Sequence, residues 1–537
     1  MPEFKTRVLI TGAGPVGLST AFFLACQGIR PVVIEKRAAT SVYPRASTSM
    51  RTLEIFRSFG LAPQLGRLGW VNYGPSRAVY MDCAVGTTFA ESEAPPSHTR
   101  RLEECSPAES RMVPQNLLEV VLLREVRRRG GEVRFDTRLT GFEQNGSGVR
   151  ATLADTRSGA SSEVRAEYLV AADGANSDVR DMLGIGMPDR EVAGHLTTAF
   201  HQTDLGPIMH KWRAHLCLVR NDEVYSTLYS FDGRDKWSTH FLGYPGKPDG
   251  PAELGADLIA KLLRATIGDD TVTSNVISAN PWVAQIGIAS SFRRGRVFLA
   301  GDSAHVQTSA GGLGMNTGIQ DGHNLAWKLA AVLQGQADAK LLDTYEPERQ
   351  AAALDSLRLS RNQFRAFVGD SESAESVHES TSTDYLRGLM FYRYQSAAIL
   401  GENNGDGELG VLDDDARPGY RLPHCWLSEN GDTLSTVDVS GGGWLLLARS
   451  DGHDWLSAAV DAGRTWGIDL RAHRVTPDGR DGALGDRDGK FAEVAGFGPE
   501  GAVLVRPDGF VAWRSTGAVS DPSRRLTEAV GRVLGRV

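Results

Sequence analysis

Cysteine is scarce. The five in 537 residues (Cys26, Cys83, Cys105, Cys217, Cys425) are odd in number, stand far apart and include no Cys-x-x-Cys pair. That argues against a disulfide framework or a zinc site, so no metal is expected, and it predicts a reducing, cytoplasmic setting. No run of 18 apolar residues occurs, so no segment is expected to span a membrane. Residues 1–7 pass directly into the strand-like Val8-Leu9-Ile10 without the apolar stretch of a secretory leader. A basic excess is missing too: 58 Lys and Arg against 66 Asp and Glu leave a net charge of −8, giving no reason to expect nucleic acid or an anionic membrane as partner. The basic run Arg127-Arg128-Arg129 reads as the last turn of a helix, stopped by Gly130-Gly131. What is present is a globular composition. The 41% hydrophobic content excludes a mostly disordered chain, and the length exceeds one compact core, predicting two or three domains.

The first forty residues read as a βαβ unit. Val8-Leu9-Ile10 is a buried strand, Gly12 to Gly17 a turn, and Leu18, Ala21, Phe22 and Ala25 recur at helical spacing before Gly28. Pro31-Val32-Val33-Ile34 is the second strand, ending on Glu35. Helices are predicted near Thr52 and over Leu117 to Arg128, with strands from Glu132 to Phe142 and from Tyr168 to Ala172. Between about 190 and 285, aromatic and β-branched residues alternate in short runs (Val224 to Tyr229, Trp237 to Leu242), which predicts an antiparallel sheet. A strand at Arg296 to Ala300 precedes a helical pattern carried by Ile319, Leu325, Leu329 and Leu333. Gly369 to Asp384 is polar and Ser-rich, as in a surface linker, and the last ~130 residues read as a separate α/β domain by size. Within it, Val503 to Trp513 predicts a hairpin around Pro507-Asp508-Gly509.

Three motifs carry chemistry. In Gly12-x-Gly14-x-x-Gly17, side-chain-free positions let backbone N–H groups approach a pyrophosphate, and the following helix adds its positive end. Glu35 stands where a carboxylate accepts hydrogen bonds from ribose hydroxyls. A second copy, Gly405-x-Gly407-x-x-Gly410, has no strand before it and no apolar helix after it, and is rejected. The next motif is the strand Tyr168 to Ala172 running into Asp173-Gly174 and ending in Ser177 and Arg180. The last is Arg296 to Ala300 running into Gly301-Asp302-Ser303-Ala304-His305 and, after Gly311, into Gly312-Leu313-Gly314-Met315-Asn316. A carboxylate at a strand end suits a ribityl hydroxyl, and glycine N–H groups opening a helix suit the electron-rich end of an isoalloxazine.

In this order the three motifs resemble those of the FAD-dependent aromatic hydroxylases, single-component flavoprotein monooxygenases of the p-hydroxybenzoate hydroxylase type. The closer resemblance is to the branch acting on phenols and polyketides, and it covers essentially the whole chain. It implies an α/β fold: a Rossmann-type FAD domain (1–75, 106–185 and 286–370) interleaved with an antiparallel substrate sheet (76–105 and 186–285). A helix/linker region (371–404) and a thioredoxin-like C-terminal domain (405–537) follow. The resemblance implies tightly held FAD. Gly12, Gly14, Pro15, Val16 and Gly17 would lie at its pyrophosphate and Glu35 at its adenosine ribose, with Lys36 next to it also in contact with the cofactor, and Asp173 in a segment serving both FAD and NAD(P)H. Gly301 and Asp302 would hold the ribityl chain, with Gly312, Leu313, Gly314, Met315 and Asn316 along the flavin ring. Arg45, in Tyr43-Pro44-Arg45-Ala46, and Gln115, in Val113-Pro114-Gln115, match two further cofactor-contacting segments of the family.

The activity implied is NAD(P)H- and O₂-consuming hydroxylation of a phenolic, polyketide-type small molecule through a flavin C4a-hydroperoxide, with NAD(P)H a transient co-substrate and a homodimer compatible. The sequence assigns no catalytic residue. Tyr225, Tyr229, His201 and His240 lie on expected sheet strands, and His305 belongs to the third motif. Ser309 replaces a proline of the family pattern beside the substrate. Two other functions stay open: Baeyer–Villiger, epoxidising or rearranging oxygenation on the same scaffold, and a flavin-less carrier of the same fold.

Overall fold

A computed structural model describes residues 3–71, 78–92, 96–109, 111–206, 216–368, 384, 386–401 and 415–537. Of the Ser-rich stretch 369–384 only Asp384 is described, and of the expected region 371–404 only 384 and 386–401; the rejected glycine copy at 405–410 lies outside the described residues.

The first sheet runs Arg293–Arg294, Val297–Leu299, Ser161–Ala171, Glu3–Thr11, Val32–Ile34, Glu132–Arg134 in spatial order. From Val297–Leu299 to Glu132–Arg134 its strands are parallel. Helices cover such a sheet on both faces, so its central strands carry unbroken apolar stretches: Val8-Leu9-Ile10, Val32–Ile34 and Val297–Leu299. Val8, Leu9, Ile10, Val297, Phe298 and Leu299 are fully buried. Helices Pro15–Cys26, Gln115–Arg128 and Leu313–Leu333 supply much of that cover. The antiparallel pair Thr137–Gln144 and Val149–Asp155 joins through Ser161–Ala171. Register decides function here. Thr11 lies opposite both Ile34 and Ala171, and Ala171 lies opposite Leu299. The turns that follow all four strands therefore leave from one carboxyl edge, where open α/β sheets bind ligands.

The second sheet has the order His305–Val306, Asn275–Ile288, Glu191–Gln202, Lys236–Gly243, Tyr225–Ser230, Leu216–Arg220, Ala78–Met81, Thr88–Ser92. Its pairs are antiparallel except Leu216–Arg220 with Ala78–Met81. Helix Ala256–Ile267 packs its Ile259, Leu262 and Leu263 into the core on one face, and the other face looks towards the first sheet's carboxyl edge.

Residues 415–537 build a seven-stranded mixed sheet with Trp444–Ala448 near its centre. Val503 pairs with Arg514 and Leu504 with Trp513, forming the expected hairpin around Pro507-Asp508-Gly509. This unit packs on helix Leu313–Leu333, where Trp327 meets Trp444 edge to face at 5.6 Å. Beneath the apolar contact lies a fully buried ionic cluster. Glu348 accepts from Lys328 Nζ at 2.7 Å and from both terminal nitrogens of Arg506, which also pairs with Asp508. All five cysteines are free thiols, and no helix among the described residues is long and apolar enough to cross a membrane.

Candidate active site

One cavity of about 1680 Å³ lies between the carboxyl edge of the first sheet and the inner face of the second. A drug-sized ligand fills roughly 300–1,000 Å³, so this volume has room for a dinucleotide and a second molecule. Gly12, Gly14, Pro15, Val16, Glu35, Lys36, Arg45, Gln115, Asp173, Asp302, Gly312, Leu313, Gly314, Met315 and Asn316 all line it. The other two residues singled out in the sequence stand behind the wall. Gly17 passes so close to Gly12 that an added Cβ would overlap the Gly12 carbonyl oxygen. Gly301 donates its N–H to the Asp321 carboxylate at 2.9 Å.

The first turn is pinned from both sides: Gly12 N–H donates to Ile34 O and Ala172 N–H to Thr11 O, each at 2.8 Å. Helix Pro15–Cys26 starts at Gly14 with no side-chain cap and no acidic residue in its first turn, leaving its N–H groups for an anion. Glu35 is 4% exposed. One of its oxygens accepts from Ala13 N–H at 2.9 Å, and the other from Arg37 N–H at 3.0 Å and Arg37 Nε at 2.9 Å. Burial pushes the Glu35 pKa up, but the hydrogen bonds from Arg37 and Ala13 outweigh it and hold it below the usual value. The carboxylate is ionised and oriented, with acceptor capacity left for hydroxyl groups. Arg37, which the sequence reading missed, fixes its direction.

The second and third motifs brace each other. Asp173 accepts from Ser303 Oγ at 2.9 Å and from Val179 N–H at 3.1 Å, while Arg180 donates to Ser303 O and Ala175 O, each at 3.2 Å. Behind Gly301, Asp321 also contacts His305 Nε2 and Arg349 Nε, both at 2.7 Å. His305 is fully buried and braces the loop. Burial raises the Asp321 pKa, yet His305 and Arg349 bring it below the usual aspartate value. Asp302 differs. Its side chain is exposed to the cavity, and among the described residues its carboxylate has no hydrogen-bond partner. Burial raises its pKa, His305 opposes and Asp321 adds to the rise.

Asn316 is turned inward. Its Oδ1 accepts from Ser49 N–H and Thr52 Oγ1, and its Nδ2 donates to Ser47 O and Gly312 O, so it ties helix Leu313–Leu333 to residues 47–52, around the start of helix Met50–Ser58. Gln115 donates to Glu119 at 2.8 Å, and its N–H to Ala46 O at 2.8 Å. Arg45 is exposed on the cavity wall.

The strand period of two sorts the remaining candidates. Tyr229 and His240 line the cavity with Leu196, Phe200, Phe231 and Leu242, whereas His201 does not and bonds to Thr203 and Thr239. Tyr225, at the strand end beyond a register shift, is also outside the lining. Ser309 takes φ −72°, a value within proline's own range, so the chain follows the path a proline would while keeping an N–H and a hydroxyl.

The arrangement fits FAD. An added Cβ at Gly14, Gly174 or Gly312 would meet nothing within 4 Å, so bare backbone faces the cavity at three points along its length. Asp302 supplies an unpartnered acceptor between them. Asp302→Ala is expected to weaken FAD binding by about 1.5–3 kcal/mol through loss of a charge-assisted hydrogen bond. Titration of apoprotein with FAD, followed by flavin fluorescence, checks it; unchanged affinity would put the ribityl chain elsewhere.

Fold and cavity together define a dinucleotide-binding α/β protein with an adjoining chamber for an apolar ligand. A family model described as FAD binding domain matches residues 5–360, and one described as aromatic-ring hydroxylase, C-terminal, matches residues 415–537. The chain belongs to the FAD-binding aromatic-ring hydroxylases. It is 37% identical to tetracenomycin A2 monooxygenase-dioxygenase of Streptomyces glaucescens over 100% of this chain and 98% of that protein. With aklavinone 12-hydroxylase RdmE of Streptomyces purpurascens it shares 36% identity over the full length of both. Among solved structures, the ternary complex of aklavinone-11 hydroxylase with FAD and aklavinone superposes with a TM-score of 0.89 at 36% identity, covering 100% of both chains.

Proposed function

We propose that this chain is an FAD-dependent, NAD(P)H- and O₂-consuming monooxygenase of the cytoplasm that hydroxylates a polycyclic phenolic substrate of polyketide type. The observation that carries the reading is the continuity of one cavity from the glycine cradle to the apolar face of the second sheet. FAD, when bound, supplies the redox chemistry that activates O₂ with electrons from NAD(P)H. The chain's own residues bind, orient and exclude water. Gly12, Gly14 and the helix start at Pro15 would hold the pyrophosphate, Glu35 the ribose and Asp302 the ribityl chain. Phe200, Phe231, Leu242, Trp282 and Phe364 form the apolar wall, drawn largely from the stretch 186–285, that keeps water from the reacting ring. The relatives acting on aklavinone and tetracenomycin support a multi-ring substrate.

The test combines FAD content with NAD(P)H oxidation in the presence of polycyclic phenols. Expected is a yellow protein whose oxidation of NAD(P)H is stimulated by such phenols and whose product carries one added oxygen. A protein that takes up no FAD, or one indifferent to every phenol, would overturn the reading. A lactone or ring-opened product would favour the second reading, oxygenation with rearrangement. The relatives named monooxygenase-dioxygenases support keeping it.

A further inference from the structure

On the sheet face of the cavity, Trp282, Thr198 and His240 form one hydrogen-bonded chain, and its direction follows from which groups can donate. An indole N–H only donates. Trp282 Nε1 donates to Thr198 Oγ1 at 2.7 Å, and Thr198 Oγ1 lies 2.7 Å from His240 Nδ1. Thr198 is 5% exposed, and no other acceptor for its hydroxyl is found among the described residues. A proton on His240 Nδ1 would leave the Thr198 O–H with no protein acceptor among the described residues, an arrangement that costs stability. With Nδ1 bare, Thr198 donates to it and every group is satisfied. The ring proton then sits on Nε2. Its nearest partner is the Ser238 hydroxyl at 3.5 Å, at the outer limit of a hydrogen bond. Burial lowers the His240 pKa to about 4, so the ring is neutral near neutral pH. All four residues line the cavity.

We infer that His240 is a neutral hydrogen-bond donor that recognises a carbonyl oxygen of the aromatic substrate, a quinone or aryl ketone, with Thr198 and Trp282 as positioning residues that lock its tautomer. This rests on the substrate reading above. The same geometry removes His240 as a general base: the Nδ1 lone pair is engaged by Thr198 and Nε2 carries hydrogen. An oxygen that only accepts suits such a donor.

The test uses the FAD-loaded full chain and two probes, a dihydroxyanthraquinone and the matching dihydroxyanthracene, which keeps the rings and hydroxyls but lacks the carbonyls. Wild type is expected to bind the quinone about ten-fold more tightly. His240→Phe, checked for unchanged FAD content, is expected to weaken the quinone alone and bring the two probes within about two-fold of each other. His240→Gln, which retains an N–H, should keep most of the preference. Nitrogen NMR of the His240 ring, assigned by its loss in His240→Phe, should show a bare Nδ1 and a protonated Nε2. The inference is overturned by a wild type that does not separate the probes, by equal weakening of both in His240→Phe, or by a proton on Nδ1. If neither probe binds the holoprotein, the substrate reading itself falls, and this inference with it.

Discussion

Gly12→Val is expected to give a folded but colourless protein. Gly12 adopts φ +96°, a region that side chains rarely enter, and a Cβ there would overlap the carbonyl oxygen of Ala172. That carbonyl belongs to a stretch held by Ala172 N–H on Thr11 O, so it has little freedom to retreat. The turn must move instead, and the start of helix Pro15–Cys26 moves with it. Far-ultraviolet circular dichroism near that of wild type, together with loss of the flavin absorbance band, is the expected pair of results. Gly14→Ala is the control, because nothing lies within 4 Å of its added Cβ: the backbone is unstrained, and only FAD binding is expected to weaken. Flavin retained by Gly12→Val would show that the pyrophosphate is held elsewhere.

The second large effect is expected at Glu348. Replacing it by alanine strands Lys328 and Arg506, both fully buried, beside each other without their shared carboxylate. Removing one partner of a buried pair costs about 3–5 kcal/mol. Because Arg506 belongs to the C-terminal unit and Lys328 to helix Leu313–Leu333, denaturant unfolding of Glu348→Ala should begin with separation of the two units, reported by Trp327 and Trp444. An unfolding profile like that of wild type would mean that the cluster contributes little to their association. The pH sign follows from the same group. Burial raises the Glu348 pKa, but Arg506 and Lys328 more than reverse this and hold it well below the ordinary value. Its stabilisation is therefore complete above about pH 4.5, the unfolded range, and is lost as pH falls towards the folded pKa. Acid unfolding followed by tryptophan fluorescence should show that loss in wild type and much less of it in Glu348→Gln.

Local order was readable in the chain because its signals are local. The alternation of Val224 to Tyr229 and the apolar run Val8-Leu9-Ile10 report strands whose faces are half or wholly buried. Gly12, Gly14 and Gly17 announce a turn against a helix start by the space they leave. Asp302 was legible as a strand-end carboxylate. Arg37, Asp321, Arg349 and the Trp282–Thr198–His240 chain were not, because each acts through a partner distant in sequence or through a side-chain direction that spacing leaves open. Asn316 shows the same limit: its position on the helix start was readable, but the four bonds that turn its amide inward involve Ser47, Ser49, Thr52 and Gly312.

By itself, then, the amino-acid order determined the dinucleotide-type βαβ start, the antiparallel stretch and the hairpin near the C-terminus, since each depends on neighbours within one turn or one strand. Only the tertiary structure decided that Thr11, Ile34, Ala171 and Leu299 end side by side, and that Tyr229 and His240 face the cavity while His201 faces away. Those outcomes depend on strand register, and register is set by the packing of whole sheets rather than by any local run of residues.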